Sequence, residues 1–135
     1  MTEVVLDASV FVAAISPNEI HHMAAAALYR SHPQDLPFWV PGLFRVEVLS
    51  ALARRKEPDA LLDTVDVLVT GPRFHSVAID AALIARAAQV ARIARVRAYD
   101  AIYVALALDH GATLFTLDRD IGERVRALYP ELKFA

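Results

Sequence analysis

Val4-Val5-Leu6-Asp7-Ala8-Ser9-Val10-Phe11-Val12 is the stretch that decides how this chain is read. Val4 to Leu6 form a short, wholly apolar β-type run, the signature of a buried strand. The run ends on a carboxylate, and Ala8 to Ile15 then have helical character. A strand that ends in Asp at the mouth of a helix places that side chain outside the carboxyl edge of a sheet, where open α/β sheets bind their ligands. Asp7 would serve equally as the N-cap of the helix it precedes, so alone it does not decide the matter. The chain supplies the same kind of group three more times, at Glu47, Asp100 and Asp118.

Outward from that stretch, strand-like and helical segments alternate. Ser16-Pro17-Asn18-Glu19 has the form of a capping box with proline at the first helical position, which predicts a helix to about Arg30. Phe38-Trp39-Val40 predicts a second strand. A helix follows from Leu43 and carries Glu47 among Leu43, Phe44, Val46, Val48 and Ala51, surroundings in which a carboxylate is costly unless something pairs with it. Arg54-Arg55-Lys56 suit the negative end of that helix. Glu57-Pro58 opens another helix to about Val69, Phe74 to Val77 suggests a short strand, and Asp80 caps an Ala-rich helix to about Val96. Asp100 opens the apolar run Ala101 to Leu108, a helix apolar on every side and therefore buried. Gly111 ends it and Ala112 to Phe115 form the last strong strand. Asp120 and Glu123 fit a second capping box, which would leave Asp118 free to point into a site. Alternating strands and helices predict a single domain over residues 1–135, a three-layer α/β/α sandwich around a mainly parallel sheet.

Composition narrows the chemistry. At 135 residues and 56% hydrophobic, the chain can bury a substantial core. With no cysteine, disulfide scaffolds, thiol nucleophiles and cysteine-based zinc sites are excluded, in keeping with a reducing cytoplasm. Met1-Thr2-Glu3 leads straight into the first strand without a visible signal segment, and no uncharged stretch is long enough for a membrane span. The net charge of −2 becomes +2 once the four acids are set aside. All but Lys56 and Lys133 of the 14 basic residues are arginine, the side chain suited to bidentate phosphate contacts. Arg97, close to Asp100, is the candidate for contacting substrate. His21, His22 and His32 read as ordinary histidines, since adjacent residues cannot share one helix face.

There is no glycine-rich phosphate loop, no nucleophile elbow and no supported Ser-His-Asp arrangement. What remains is a set of acids at the ends of apolar elements. Clustered carboxylates repel one another and burial raises their pKa, so a cluster that stays ionised needs cations. All-oxygen ligands suit Mg²⁺ or Mn²⁺. One or two such ions would hold a phosphodiester and activate the attacking water.

At this point four motifs carry a resemblance: Val5-Leu6-Asp7-Ala8-Ser9, then Glu47-Val48-Leu49-Ser50-Ala51-Leu52, then Tyr99-Asp100-Ala101-Ile102-Tyr103-Val104-Ala105-Leu106-Ala107, then Thr116-Leu117-Asp118-Arg119-Asp120. In kind and order they resemble PIN-domain proteins of the VapC toxin type, and the resemblance spans nearly the whole chain. It implies a Mg²⁺- or Mn²⁺-dependent endoribonuclease, with direct or water-mediated metal contacts from Asp7, Glu47, Asp100 and Asp118. It implies that Ser9 and Thr116 orient water or a carboxylate beside the metal, that Asp120 assists or replaces Asp118, and that the partners are RNA, a second copy of the chain and an antitoxin. Two other readings stay open. One is a non-catalytic RNA-binding or protein-interaction module that keeps the fold. The other is a metal-dependent phosphatase, against which Ser9 stands where an Asp-x-Asp pair would be needed.

Overall fold

The computed structural model describes residues 3–135. Met1 and Thr2, read above as a direct lead into the first strand, lie outside the described residues. A five-stranded sheet runs in the order β3-β2-β1-β4-β5, comprising β1 (Val4–Leu6), β2 (Phe38–Pro41), β3 (Phe74–Val77), β4 (Thr113–Phe115) and β5 (Lys133–Phe134). Every neighbouring pair is parallel. The helices are α1 (Ala8–Ala14), α2 (His22–Arg30), α3 (Phe44–Arg54), α4 (Asp59–Val69), α5 (Ala81–Ala94), α6 (Ala98–His110) and α7 (Arg119–Leu128).

The two faces of the sheet follow from the period-2 alternation of strand side chains. On one face Phe38 and Phe74 meet rings from the first helices, with Phe11 at centroid distances of 5.2 Å from Phe74 and 5.8 Å from Phe44, and Phe115 packs against Phe38. On the other face Trp39 packs between His75 and His110, the last residue of α6, with both ring pairs tilted. Helix α6 covers the middle of that face, and its run Tyr103 to Ala107 is buried, as its all-apolar sequence requires. The result is the three-layer α/β/α sandwich with parallel strands.

Gly111 closes α6 in the left-handed region, at φ 58°, and turns the chain into β4. Only glycine adopts that conformation without cost. Gly111→Ala is expected to destabilise the protein by about 1 kcal/mol in urea unfolding; an unchanged midpoint would contradict this.

Several boundaries differ from those predicted. The Ser16 capping box does not start a helix: residues 16–21 form turns and α2 begins at His22. Arg55 of α3 instead binds the side chains of both Ser16 and Glu19, so a tertiary contact takes the groups that would have capped. Helix α5 stops at Ala94 because Arg95 turns left-handed at φ 57°. The final helix is capped by Asp118, not Asp120: Asp118 Oδ1 accepts the backbone N–H of Asp120 (3.0 Å) and of Ile121 (3.2 Å). Asp120 lies in the first turn, paired with Arg124 at 3.0 Å. The two-residue β5 was not foreseen.

Candidate active site

The order of the strands creates the site. From β1 the chain moves outward to β2 and β3, then returns through α5 and α6 to β4 on the other side of β1. The carboxyl ends of β1 and β4 therefore lie side by side at the point where strand order reverses, the usual ligand position of open α/β sheets. The amide of Asp7 donates to Phe115 O at 3.1 Å, which locks the exit of β1 against the exit of β4.

All four predicted acids sit at helix N-termini. Asp7 caps α1 and Asp118 caps α7. Glu47 and Asp100 lie in the first turns of α3 and α6. Asp100 is not a cap, because its helix starts at Ala98 with Arg97 in the capping position; capping therefore does not account for this acid. Four positive dipole ends partly offset the cost of gathering negative charge.

Asp7 is the most constrained. It is 9% exposed. Its Oδ2 accepts the hydroxyls of Ser9 (2.9 Å) and Thr116 (3.1 Å), and its Oδ1 accepts the amide of Ser9 at 3.3 Å. Thr116 Oγ1 also accepts the amide of Asp118 at 3.2 Å, so one hydroxyl ties two of the acids together. Burial raises the Asp7 pKa above the ordinary carboxylate range; the Ser9 and Thr116 hydrogen bonds pull it back, and the charge of Asp118 adds to the rise.

Burial pushes Glu47 up to about 7, with the charges of Asp7 and Asp100 adding to it. Asp100 is pushed up to about 6 by burial and then by the charges of Asp7 and Asp118, while Arg97 opposes the shift. The acids thus feel one another, and Arg97, exposed, is the cation that faces Asp100. Opposing the rise at Glu47 is a residue the sequence reading did not single out. Tyr103, 2% exposed, donates its hydroxyl to Glu47 Oε1 at 2.8 Å. Burial, with the charges of Glu47 and Asp7, holds that phenol well above its ordinary pKa, so it stays a donor. The signal was present: Tyr103 carries the only side-chain hydroxyl in the apolar run Ala101 to Leu108, and a buried tyrosine hydroxyl usually has a partner.

Among the described residues, no three His, Asp or Glu side chains are disposed, as they stand, to hold an ion between them. The donor set itself is nevertheless that of a hard divalent cation: carboxylates, hydroxyls and no sulfur or imidazole. The histidines lie elsewhere, His22 against Ala13 O and His32 against Pro37 O. Asp120 is engaged with Arg124.

A parallel α/β sheet with acids gathered at its switch point defines a carboxylate-edged hydrolase type of site. The chain belongs to the PIN domain family, a family of nucleases, whose profile matches residues 4–127. Its fold is that of VapC-type toxins. VapC20 of Mycobacterium tuberculosis, a toxin that cleaves the sarcin–ricin loop, superposes with a TM-score of 0.75 at 18% identity, covering 90% of this chain and 94% of that one. A toxin–antitoxin complex from Klebsiella pneumoniae gives 0.72 at 14% identity, covering 97% and 95%. VapBC2 from Rickettsia felis, bound to DNA from its promoter, gives 0.67 at 13% identity, covering 98% and 96%. No curated protein sequence matches the chain. No helix among the described residues is long and apolar enough to cross a membrane.

Proposed function

We propose that this single-domain protein is a Mg²⁺- or Mn²⁺-dependent endoribonuclease and the toxin of a toxin–antitoxin pair. One observation carries the reading: Asp7, Asp100 and Glu47 share an edge where Asp7 and Asp100 both raise the pKa of Glu47 and Asp7 raises that of Asp100, and no arginine or lysine ion-pairs with any of them among the described residues. A bound divalent ion would supply the missing positive charge, hold the phosphodiester and make the attacking water more acidic. Asp7, Glu47, Asp100 and Asp118 would hold it. Ser9 and Thr116 fix the Asp7 carboxylate, and Tyr103 fixes Glu47. Arg97 would meet the RNA backbone beside Asp100. The likeness to toxin–antitoxin complexes supports an antitoxin as partner, and a homodimer in the cytoplasm completes the proposal.

The test is cleavage of a labelled structured RNA by inhibitor-free protein with Mn²⁺, with Mg²⁺ and with EDTA. Cuts that need the metal are expected. No cutting together with no Mn²⁺ binding would leave the acids as helix-end charges and end the proposal.

The Tyr103–Glu47 bond gives a separate check. Tyr103→Phe keeps the ring and removes the donor that favours ionised Glu47. Protons then compete better for that carboxylate, and Mn²⁺ affinity at pH 7 is expected to fall about tenfold by calorimetry. Unchanged affinity would show that the hydroxyl only fills space.

A further inference from the structure

Glu47 borders two clefts. One, of about 240 Å³, holds Ser9, Glu19 and Arg55 and no aromatic ring. The other, about 490 Å³, is bounded by Leu43, Val46, Glu47, Arg54 and Tyr99. Tyr99 is the residue before Asp100. It is 62% exposed, although most of the apolar side chains that follow it along α6 are buried, and Val46 across the cleft is 68% exposed. Arg45, Arg55, Arg86 and Arg124 each lie against an acid. Arg54 and Arg97 form no ion pair among the described residues, which leaves their guanidinium groups uncommitted. The cleft therefore combines an open aromatic ring, an apolar wall and a free cation at its rim, and it reaches the acid cluster through Glu47.

We propose that Tyr99, with Val46 opposite and Arg54 at the rim, is a stacking site for one unpaired base of RNA, adjoining the phosphate that meets the acids. The proposal rests on the ribonuclease reading above and adds the residue that would hold a base beside the acids. A base offers its face to a ring only when it is out of a duplex, so the site takes loops, bulges and single strands. Stacking accepts every base, because each has a π-face. The Tyr99 site thus selects unpaired over paired RNA and leaves the choice of base open. Arg54 supplies the charge complementarity, a planar fork for the neighbouring phosphate.

The experiment uses a single-stranded oligoribonucleotide carrying a fluorescent adenine analogue that is quenched by stacking. It is titrated in EDTA, so that cleavage does not intrude, with the full chain and with Tyr99→Ala, Tyr99→Phe and Arg54→Ala. The parent protein is expected to quench the single strand and not the matching duplex. Tyr99→Ala should abolish the quenching and weaken binding about tenfold, Tyr99→Phe should retain both, and Arg54→Ala should weaken binding while keeping the quenching. With metal present, Tyr99→Ala should raise KM about tenfold and leave kcat within about twofold. Equal quenching and affinity in Tyr99→Ala would overturn the proposal. So would a change from dimer to monomer in that variant by sedimentation, since the patch would then be an interface between copies of the chain. If the parent stacks RNA in a Tyr99-dependent way and cuts none with metal, the ribonuclease reading falls and the stacking site stands. If it cuts RNA and Tyr99 is irrelevant, the reverse holds.

Discussion

Asp7→Asn is expected to fold normally, to melt no lower than the parent in metal-free buffer at pH 7, and to cleave RNA at least about 10³-fold more slowly. The two halves have different physical origins. The amide has the shape of the carboxyl it replaces, and its oxygen can still accept the Ser9 and Thr116 hydroxyls that now converge on Oδ2, with the loss only of the long 3.3 Å bond from the Ser9 amide to Oδ1. It cannot ionise, so the folded state no longer carries a buried charge, and that change favours stability. The same neutrality removes a negative charge from the position where a divalent ion is needed. Thermal melting in EDTA, Mn²⁺ calorimetry and RNA cleavage read the three consequences separately. Parent-like cleavage with parent-like Mn²⁺ affinity would remove Asp7 from the site.

The second large effect is on stability against pH. Glu47 rises from 4.5 to about 7 and Asp100 from 3.8 to about 6 on folding, and Asp7 rises as well. In all three the folded protein holds a proton that the unfolded chain has already released. Their contribution is fully present below about pH 4 and is lost progressively from there as pH rises through about 7. In EDTA the protein is therefore expected to lose stability between about pH 4 and pH 7, on the order of 2 kcal/mol from Glu47 once solvent screening of this half-buried group is allowed for. Asp66 runs the other way, since Arg45 holds its carboxyl below the usual range, but it lies on the surface and titrates below this window. Protons and Mn²⁺ compete for the same oxygens, so the rise in melting temperature caused by saturating Mn²⁺ should grow between about pH 5 and pH 7.5. A flat profile in EDTA, with a Mn²⁺ effect that ignores pH, would mean that these carboxylates do not share a buried site.

Much of this was legible in the sequence for a simple reason. Buried parallel strands read as unbroken apolar runs, and each run here ends at a polar residue that marks the edge of the sheet. Asp7 after Leu6 and the Thr116–Asp118 segment after Phe115 are both of this kind. The misreadings have a common cause too: capping patterns are local, and the winner was set by tertiary contact. Asp118 and Asp120 both precede a helical run. The register of β4 beside β1 brings Thr116 against Asp7, and the Thr116 hydroxyl accepts the Asp118 amide, so the turn starts two residues earlier than the Asp120–Glu123 pattern suggested. Asp118 consequently has two tasks, with one oxygen committed to the helix and the other left over. Ser16 and Glu19 made a convincing helix start, yet Arg55, far along the chain, takes their side chains. Tyr103 escaped notice because its helix looks purely structural until its hydroxyl is seen to reach α3. Strand β5, two residues long, has no periodicity to read.

The hydrogen bond between Asp7 and Thr116 spans 109 residues of chain. The acidic edge is thus absent from any stretch of the polypeptide that stops short of β4, and it forms only when one of the last strands slides in beside the first. On the ribonuclease proposal this arrangement is a safeguard, because everything from Asp7 to Thr116 must be made before the blade exists.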